Sequence, residues 1–80
     1  MDPLLDTRLT PGARLLLAWL VRHHAGDWSA DGASAALGMS RSAIQDYAGQ
    51  LRRHGIIATR RHRVDRRRRI VEILDGRYRS

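Results

Sequence analysis

The chain has no cysteine, no lysine and no phenylalanine, and it carries only two prolines, two tryptophans and two tyrosines. Without cysteine there is neither a disulfide staple nor a thiolate metal site, so stability rests on the core or on a partner chain. Long apolar runs are missing too: the longest, Leu15 to Val21, has seven residues, whereas a bilayer span needs about 20. That run lies too far inside the chain for a signal peptide and has no small-residue cleavage site, so neither export nor membrane insertion is implied. The histidines offer no ligand set. His23 and His24 are adjacent and would diverge on a helix, while His54 and His62 stand alone with no Cys or acidic partner at ligand spacing. There is no phosphate-cradling glycine loop, no nucleophile elbow and no pair of carboxylates in a shared context, so no enzyme and no cofactor are expected. Scarce aromatics also weigh against base-stacking recognition of RNA.

What is present is arginine. All fifteen basic residues are arginine, a usage that fits a GC-rich bacterial coding sequence, and its planar fork suits phosphate and guanine better than a lysine ammonium does. Nine of the fifteen fall between Arg52 and Arg69 with one acid, Asp65, among them, so that window carries +8 of a chain whose net charge is +7. Concentrated charge of this kind is the footprint of a polyanion-binding surface, because each neutralised phosphate releases counterions. Its alternative is a solvated face or a disordered tail. An apolar fraction of 42% over 80 residues is enough for one folded domain with one modest core.

The punctuation of the chain divides it into an arm, three helices and a hairpin. Residues 1–9 have no clean period, although Leu4, Leu5 and Leu9 suggest packing. Thr10-Pro11 reads as a hydroxyl N-cap followed by proline at the first helical position, and the helix should run to about His24, with Gly26 as a stop. Ala13, Leu16, Leu17, Leu20 and Val21 form its apolar face, while Leu15 and Trp19 lie outside that stripe and call for a second surface to pack against. Ser29 caps a second helix over 30–37, ended by Gly38 in a positive-φ turn. Ser40 caps a third, with Ile44, Tyr47 or Ala48, and Leu51 inward, ending at Gly55. Two β-branched segments follow, Ile56 to Thr59 and Ile70 to Leu74, joined through a turn at Val64-Asp65. The fold class is therefore α+β and mainly helical: one domain over 1–80, with a three-helix core at 10–55, a hairpin at 56–74 and a fraying tail at 75–80.

The run Leu37, Gly38, Met39, Ser40, then Ile44, Ala48, Leu51, Gly55, Ile56 and Ile57, resembles the winged helix-turn-helix DNA-binding domains over about residues 10 to 74. The opening Leu9-Thr10-Pro11-Gly12-Ala13-Arg14 is similar to the first helix of helix-turn-helix proteins from phage and plasmid replication or regulation. Two positions depart from the pattern. Ala33 and Ser34 stand where a Leu-Ala pair is usual, which predicts a looser seat for the second helix. Gly49 interrupts the third at a cost of about 1 kcal/mol relative to Ala. It reads either as a close approach to DNA or a neighbouring helix, or as a tolerated weak spot.

The resemblance implies that the third helix enters the major groove of double-stranded DNA. Its outward positions would then read bases: Arg41, Ser42, Gln45, Asp46 and Gly49, with Arg41 gripping guanine and Gln45 adenine in bidentate fashion. Asp46 would accept from cytosine N4 or pair with an arginine from elsewhere in the fold, the second being favoured. Ser40, Arg52, Arg53, Arg60 and Arg61 would hold backbone phosphates, with capping as the alternative for Ser40. The hairpin is the wing, and Arg63, Arg66, Arg67, Arg68 and Arg69 would reach the minor groove, where narrow width deepens the negative potential. The function implied is sequence-preferring DNA binding, as a small transcriptional regulator or an accessory factor of a mobile element. A protein-interaction module docking an acidic partner is the alternative. Expected partners are duplex DNA and a second copy of the chain through Leu15 and Trp19, in a cytoplasmic, nucleoid-associated setting. No membrane and no small-molecule ligand is indicated.

Overall fold

A computed structural model describes residues 2–23, 27–64 and 68–78. A 3₁₀ turn (Pro3–Leu5) leads into α1 (Pro11–Arg22), β1 (Asp27–Trp28), α2 (Ala30–Leu37), α3 (Arg41–Arg53), β2 (Ile57–Arg61) and β3 (Arg69–Ile73). The expected three helices and hairpin are all present, with the strands shifted by one or two residues. β1 is an addition that the sequence does not announce, since two residues are too few for an alternation to be read. It pairs antiparallel with β3, giving a three-stranded sheet in the order β1-β3-β2. The stop at Gly26, the turn residue Asp65 and the wing residues Arg66 and Arg67 lie outside the described residues.

One core joins the layers. The α1 stripe of Ala13, Leu16, Leu17 and Leu20 meets Ala33 of α2, Ile44, Ala48 and Leu51 of α3, and Ile57 and Val71 of the sheet, all buried. Leu9 joins this core from the arm, while Leu4 and Leu5 stay exposed. The seat of α2 on the core rests on one buried residue, as expected for small side chains. Ala33 is fully buried, and the hydroxyl of Ser34 donates to the Met39 carbonyl, tying α2 to the turn before α3. Gly38, at φ 66°, closes that turn, and its N–H and that of Met39 both donate to the Ser34 carbonyl. Small residues in α2 thus exchange apolar bulk for a fixed turn geometry.

The start of α1 corrects an expectation. Thr10 occupies the N-cap position but its side chain makes no capping bond. Its own N–H instead donates to Gln50 Oε1 of α3, at 2.8 Å, so a residue forty positions away completes the helix start. Close approach explains the next position: a Cβ on Gly12 would lie 2.2 to 2.5 Å from the Tyr47 ring. Overpacking of this kind costs about 1–3 kcal/mol. Gly12→Ala should therefore lower stability in a urea titration, although alanine is the better helix former. An unchanged or higher midpoint would mean that Tyr47 swings aside freely.

The tail does not fray at Tyr78, which is 5% exposed. Its hydroxyl donates to Asp6, the one buried charged residue among those described. Asp6 also accepts from Arg8 through the Nη2, Nε and backbone N–H groups, at 2.7, 3.0 and 3.1 Å. Arg8 reaches on to Asp75 at 3.4 Å, and Arg77 holds the same carboxylate at 2.8 Å. The hydrogen bond from the Arg8 side chain, partly opposed by burial, holds the Asp6 carboxyl far below its ordinary range. The Arg77 side chain draws Asp75 down to about 2. Burial, reinforced by the bond to Asp6, pushes the Tyr78 hydroxyl up. This clasp joins the two ends of the chain against α1.

Candidate nucleic-acid interface

The third helix earns its exposed face from its period. Ser40 caps it through a bond from the Ala43 N–H at 3.1 Å, and Ile44, Ala48 and Leu51 lock one side into the core. Arg41, Ser42, Gln45, Asp46, Arg52 and Arg53 are consequently exposed, as the sequence predicts. Of the two inward candidates, Ala48 is buried and Tyr47 half-buried against Gly12. Gly49 is half-buried, and a Cβ there would meet only Arg52 Nη2, at an ordinary 3.7 Å. No neighbouring helix crowds it among the described residues, which removes that explanation for the glycine.

Ionic partners redistribute the expected roles. The favoured arginine partner for Asp46 is not found among the described residues, and its carboxylate stays exposed. Arg41 instead meets Asp31 of α2 at 3.3 Å, with both side chains about two-thirds exposed. A pair this open is worth about 0–1 kcal/mol, so it orients Arg41 more than it anchors it. Sequence reasoning overlooked Asp31 because an acid in the first turn of a helix already has an explanation in the helix dipole. Arg52 Nη1 donates to Thr59 Oγ1 at 3.4 Å, linking α3 to the sheet. The hydroxyl of Ser40 accepts the capping bond from the Ala43 N–H.

The strand pleat sorts the hairpin arginines onto two faces. Ile57, Thr59 and Arg61 of β2 stand opposite Ile73, Val71 and Arg69 of β3, and their burial shows that this is the side turned to the helices. Arg60 falls on the other side, with Ala58, Ile70 and Glu72 around it. Arg61 and Arg69 are direct cross-strand partners, a like-charge juxtaposition that costs stability unless an anion lies near. Beyond them the wing narrows: the His62 N–H donates to the Arg68 carbonyl, and His62 Nδ1 accepts from the Val64 N–H at 3.2 Å. Arg63, Val64 and Arg68 are exposed there. Val64, at 88% exposure, is an apolar tip that the reading of charges passed over.

Between α3 and the sheet runs a groove of about 360 Å³, lined by Arg41, Gln45, Ala48 and Arg52 on one side and by Trp28, Ala30 and Arg69 on the other. It follows from the spacing of 41, 45, 48 and 52, which fall along one stripe of the helix. Two residues expected to read bases therefore border a concavity as well as the outer surface. Among the described residues no group of three His, Cys, Asp or Glu could hold a metal, and no helix is long and apolar enough to cross a membrane.

Compared by sequence, the chain matches no family model and no curated protein. Its fold is similar to that of the heme sensor protein PefR from Streptococcus agalactiae, a structure solved in complex with heme. The two are 22% identical with a TM-score of 0.63, over 85% of this chain and 46% of that one. The chain thus spans less than half the length of that protein. Three helices followed by an antiparallel hairpin give the winged-helix architecture that the sequence run from Leu37 to Ile57 implied.

Proposed function

We propose that the protein binds double-stranded DNA with sequence preference, as a small transcriptional regulator or as an accessory factor of a mobile element in replication, excision or partition. The observation that carries this reading is the exposed row of Arg41, Ser42, Gln45 and Asp46 on a helix whose opposite side is fixed in the core. A 13-residue helix presents such a row to a major groove about 12 Å wide, which admits it and displays a distinct pattern for each base pair. Arg61, Arg69, Arg63 and Arg68 flank it on the wing, where they suit phosphates or a narrow minor groove. Asp46, exposed and with no arginine beside it among the described residues, suits the N4 amino group of cytosine.

Selection from random duplex DNA should recover a preferred site. Gln45→Ala should then relax preference at one base pair, with about 1–3 kcal/mol of discrimination lost there. A selection that returns no enriched sequence, or a Gln45→Ala profile identical to wild type, would favour a docking module for an acidic protein instead.

The protein also forms a homodimer in this reading, through α1. Leu15 is 39% exposed beside half-buried Trp19, whose ring lies 5.1 Å from His23. Leu15→Glu should weaken self-association measured by light scattering, and a wild-type monomer at high concentration would exclude this interface. A cytoplasmic, nucleoid-bound location follows from the same DNA-binding reading.

A further inference from the structure

We propose that Asp31 is a specificity-determining residue: it holds Arg41 in the pose that grips guanine, and it does so without touching DNA itself. The inference rests on the DNA-binding reading of α3. Asp31 lies in the first turn of α2, and Arg41 is the first residue of α3. Asp31 Oδ1 meets Arg41 Nε at 3.3 Å. The turn between the helices fixes their relative placement. Gly38 takes a φ of 66° there, its N–H and that of Met39 both donate to the Ser34 carbonyl, and the Ser34 hydroxyl donates to the Met39 carbonyl. Ala33 in the middle of α2 and Ile44 and Ala48 of α3 are buried, which keeps either helix from rolling to separate the two side chains.

The atom that makes the contact decides what the pair can do. A carboxylate on Nε leaves Nη1 and Nη2 to span guanine O6 and N7, the bidentate contact that arginine makes in the major groove. Gln45 follows one turn along the same stripe of α3, so a pinned Arg41 and Gln45 address the groove in one register. An arginine without a partner samples many rotamers, and ordering it on a base opposes binding. It can also swing to a phosphate, which every sequence offers. Asp31 suppresses both, because a guanidinium that leaves the pair for the backbone strands a carboxylate among phosphates. In the free protein both side chains are about two-thirds exposed and the pair is weak. A docked duplex excludes water from it, and the attraction rises as screening falls. The gain lies in choice and not in affinity, since a carboxylate beside a polyanion weakens binding to every sequence.

The test compares the full chain with Asp31→Asn, Arg41→Ala and the double variant, each titrated with duplexes that differ at one base pair. Selection from random duplex DNA supplies the site, and the base pair that Arg41 reads is the one where Arg41→Ala relaxes preference. The readout is the discrimination ratio, the Kd of the substituted duplex over that of the guanine-bearing one, which cancels any loss of folded protein in a variant. Asp31→Asn should lower this ratio about two- to tenfold, the cost of ordering a freed arginine, while binding to the substituted duplex stays equal or tightens. It should leave the ratio alone once Arg41 is alanine, as expected of residues that act through one contact. A ratio that Asp31→Asn does not change, with affinity shifted evenly over all duplexes or not at all, overturns the proposal by showing that Asp31 acts only as a charge or on folding. An effect that survives in the Arg41→Ala background also overturns it, since Asp31 would then read a base itself. A wild type that enriches no sequence would defeat the DNA reading and this inference with it. A preferred site that Arg41→Ala leaves untouched would keep that reading and defeat the inference alone.

Discussion

Asp6→Ala should lower the melting temperature by about 5–15 °C, from a loss of about 1–3 kcal/mol. The size of the effect comes from asymmetry. A buried ion pair contributes little compared with an apolar replacement, but removing one member strands the others. Here the stranded groups are the Tyr78 hydroxyl in a buried site and the Arg8 guanidinium, which would lose both of its bonds to Asp6. A chain of 80 residues has a total stability of only about 4–12 kcal/mol at the usual value per residue. Tyr78→Phe, which removes one donor and keeps the ring, should cost less than Asp6→Ala. Thermal melts followed by circular dichroism measure both, and an Asp6→Ala midpoint within a few degrees of wild type would show that the clasp contributes nothing.

The same clasp sets the response to acid. Asp6 is held below its ordinary carboxylate value and Asp75 is lowered to about 2. Each binds a proton more readily in the unfolded chain than in the folded one. Their contribution is complete above the ordinary carboxylate range and is lost as pH falls through that range toward 2 and below. Wild type should therefore lose stability over that window, and Asp6→Ala should show a shallower decline because one of the two linked groups is gone.

Local signals made the helices legible and left the long-range ties hidden. Ser29, Gly38 and Ser40 act on their immediate neighbours, so caps and turns could be placed from spacing alone. The clasp joins residues 72 apart and the Gln50 cap joins residues 40 apart, and nothing in either segment announces its partner. The candidate site divides the same way. The exposed face of α3 follows from a period of 3.6, whereas the faces of the hairpin depend on register. Ile56 and Ile57 are adjacent and both buried, because Ile56 enters the core just before the strand begins. That pair hides the alternation that would have separated Arg60 from Arg61. β1 was illegible for a related reason: only the pairing of Trp28 with Arg69 places it beside the groove.

Raising salt from 50 to 200 mM should weaken duplex binding by about three to four orders of magnitude, for a slope of log K against log salt of about −5 to −7. This is what six to eight neutralised phosphates give, and the arginines of α3 and the wing are numerous enough to supply them. The pleat makes the prediction finer than a count of charges. Arg61→Gln and Arg69→Gln remove groups from the helix-facing side of the sheet and should each reduce the slope by about 1. Arg60→Gln removes the same charge from the opposite side, beside Glu72, and should change it less. Gln45→Ala should leave the slope intact while altering the preferred sequence, because phosphate contacts set affinity and register whereas base contacts set choice. A wild-type slope near zero would sink the electrostatic account altogether. Equal slopes for Arg60→Gln and Arg69→Gln would keep that account and reject the division into two faces, leaving the window from Arg52 to Arg69 as one diffuse cloud of charge.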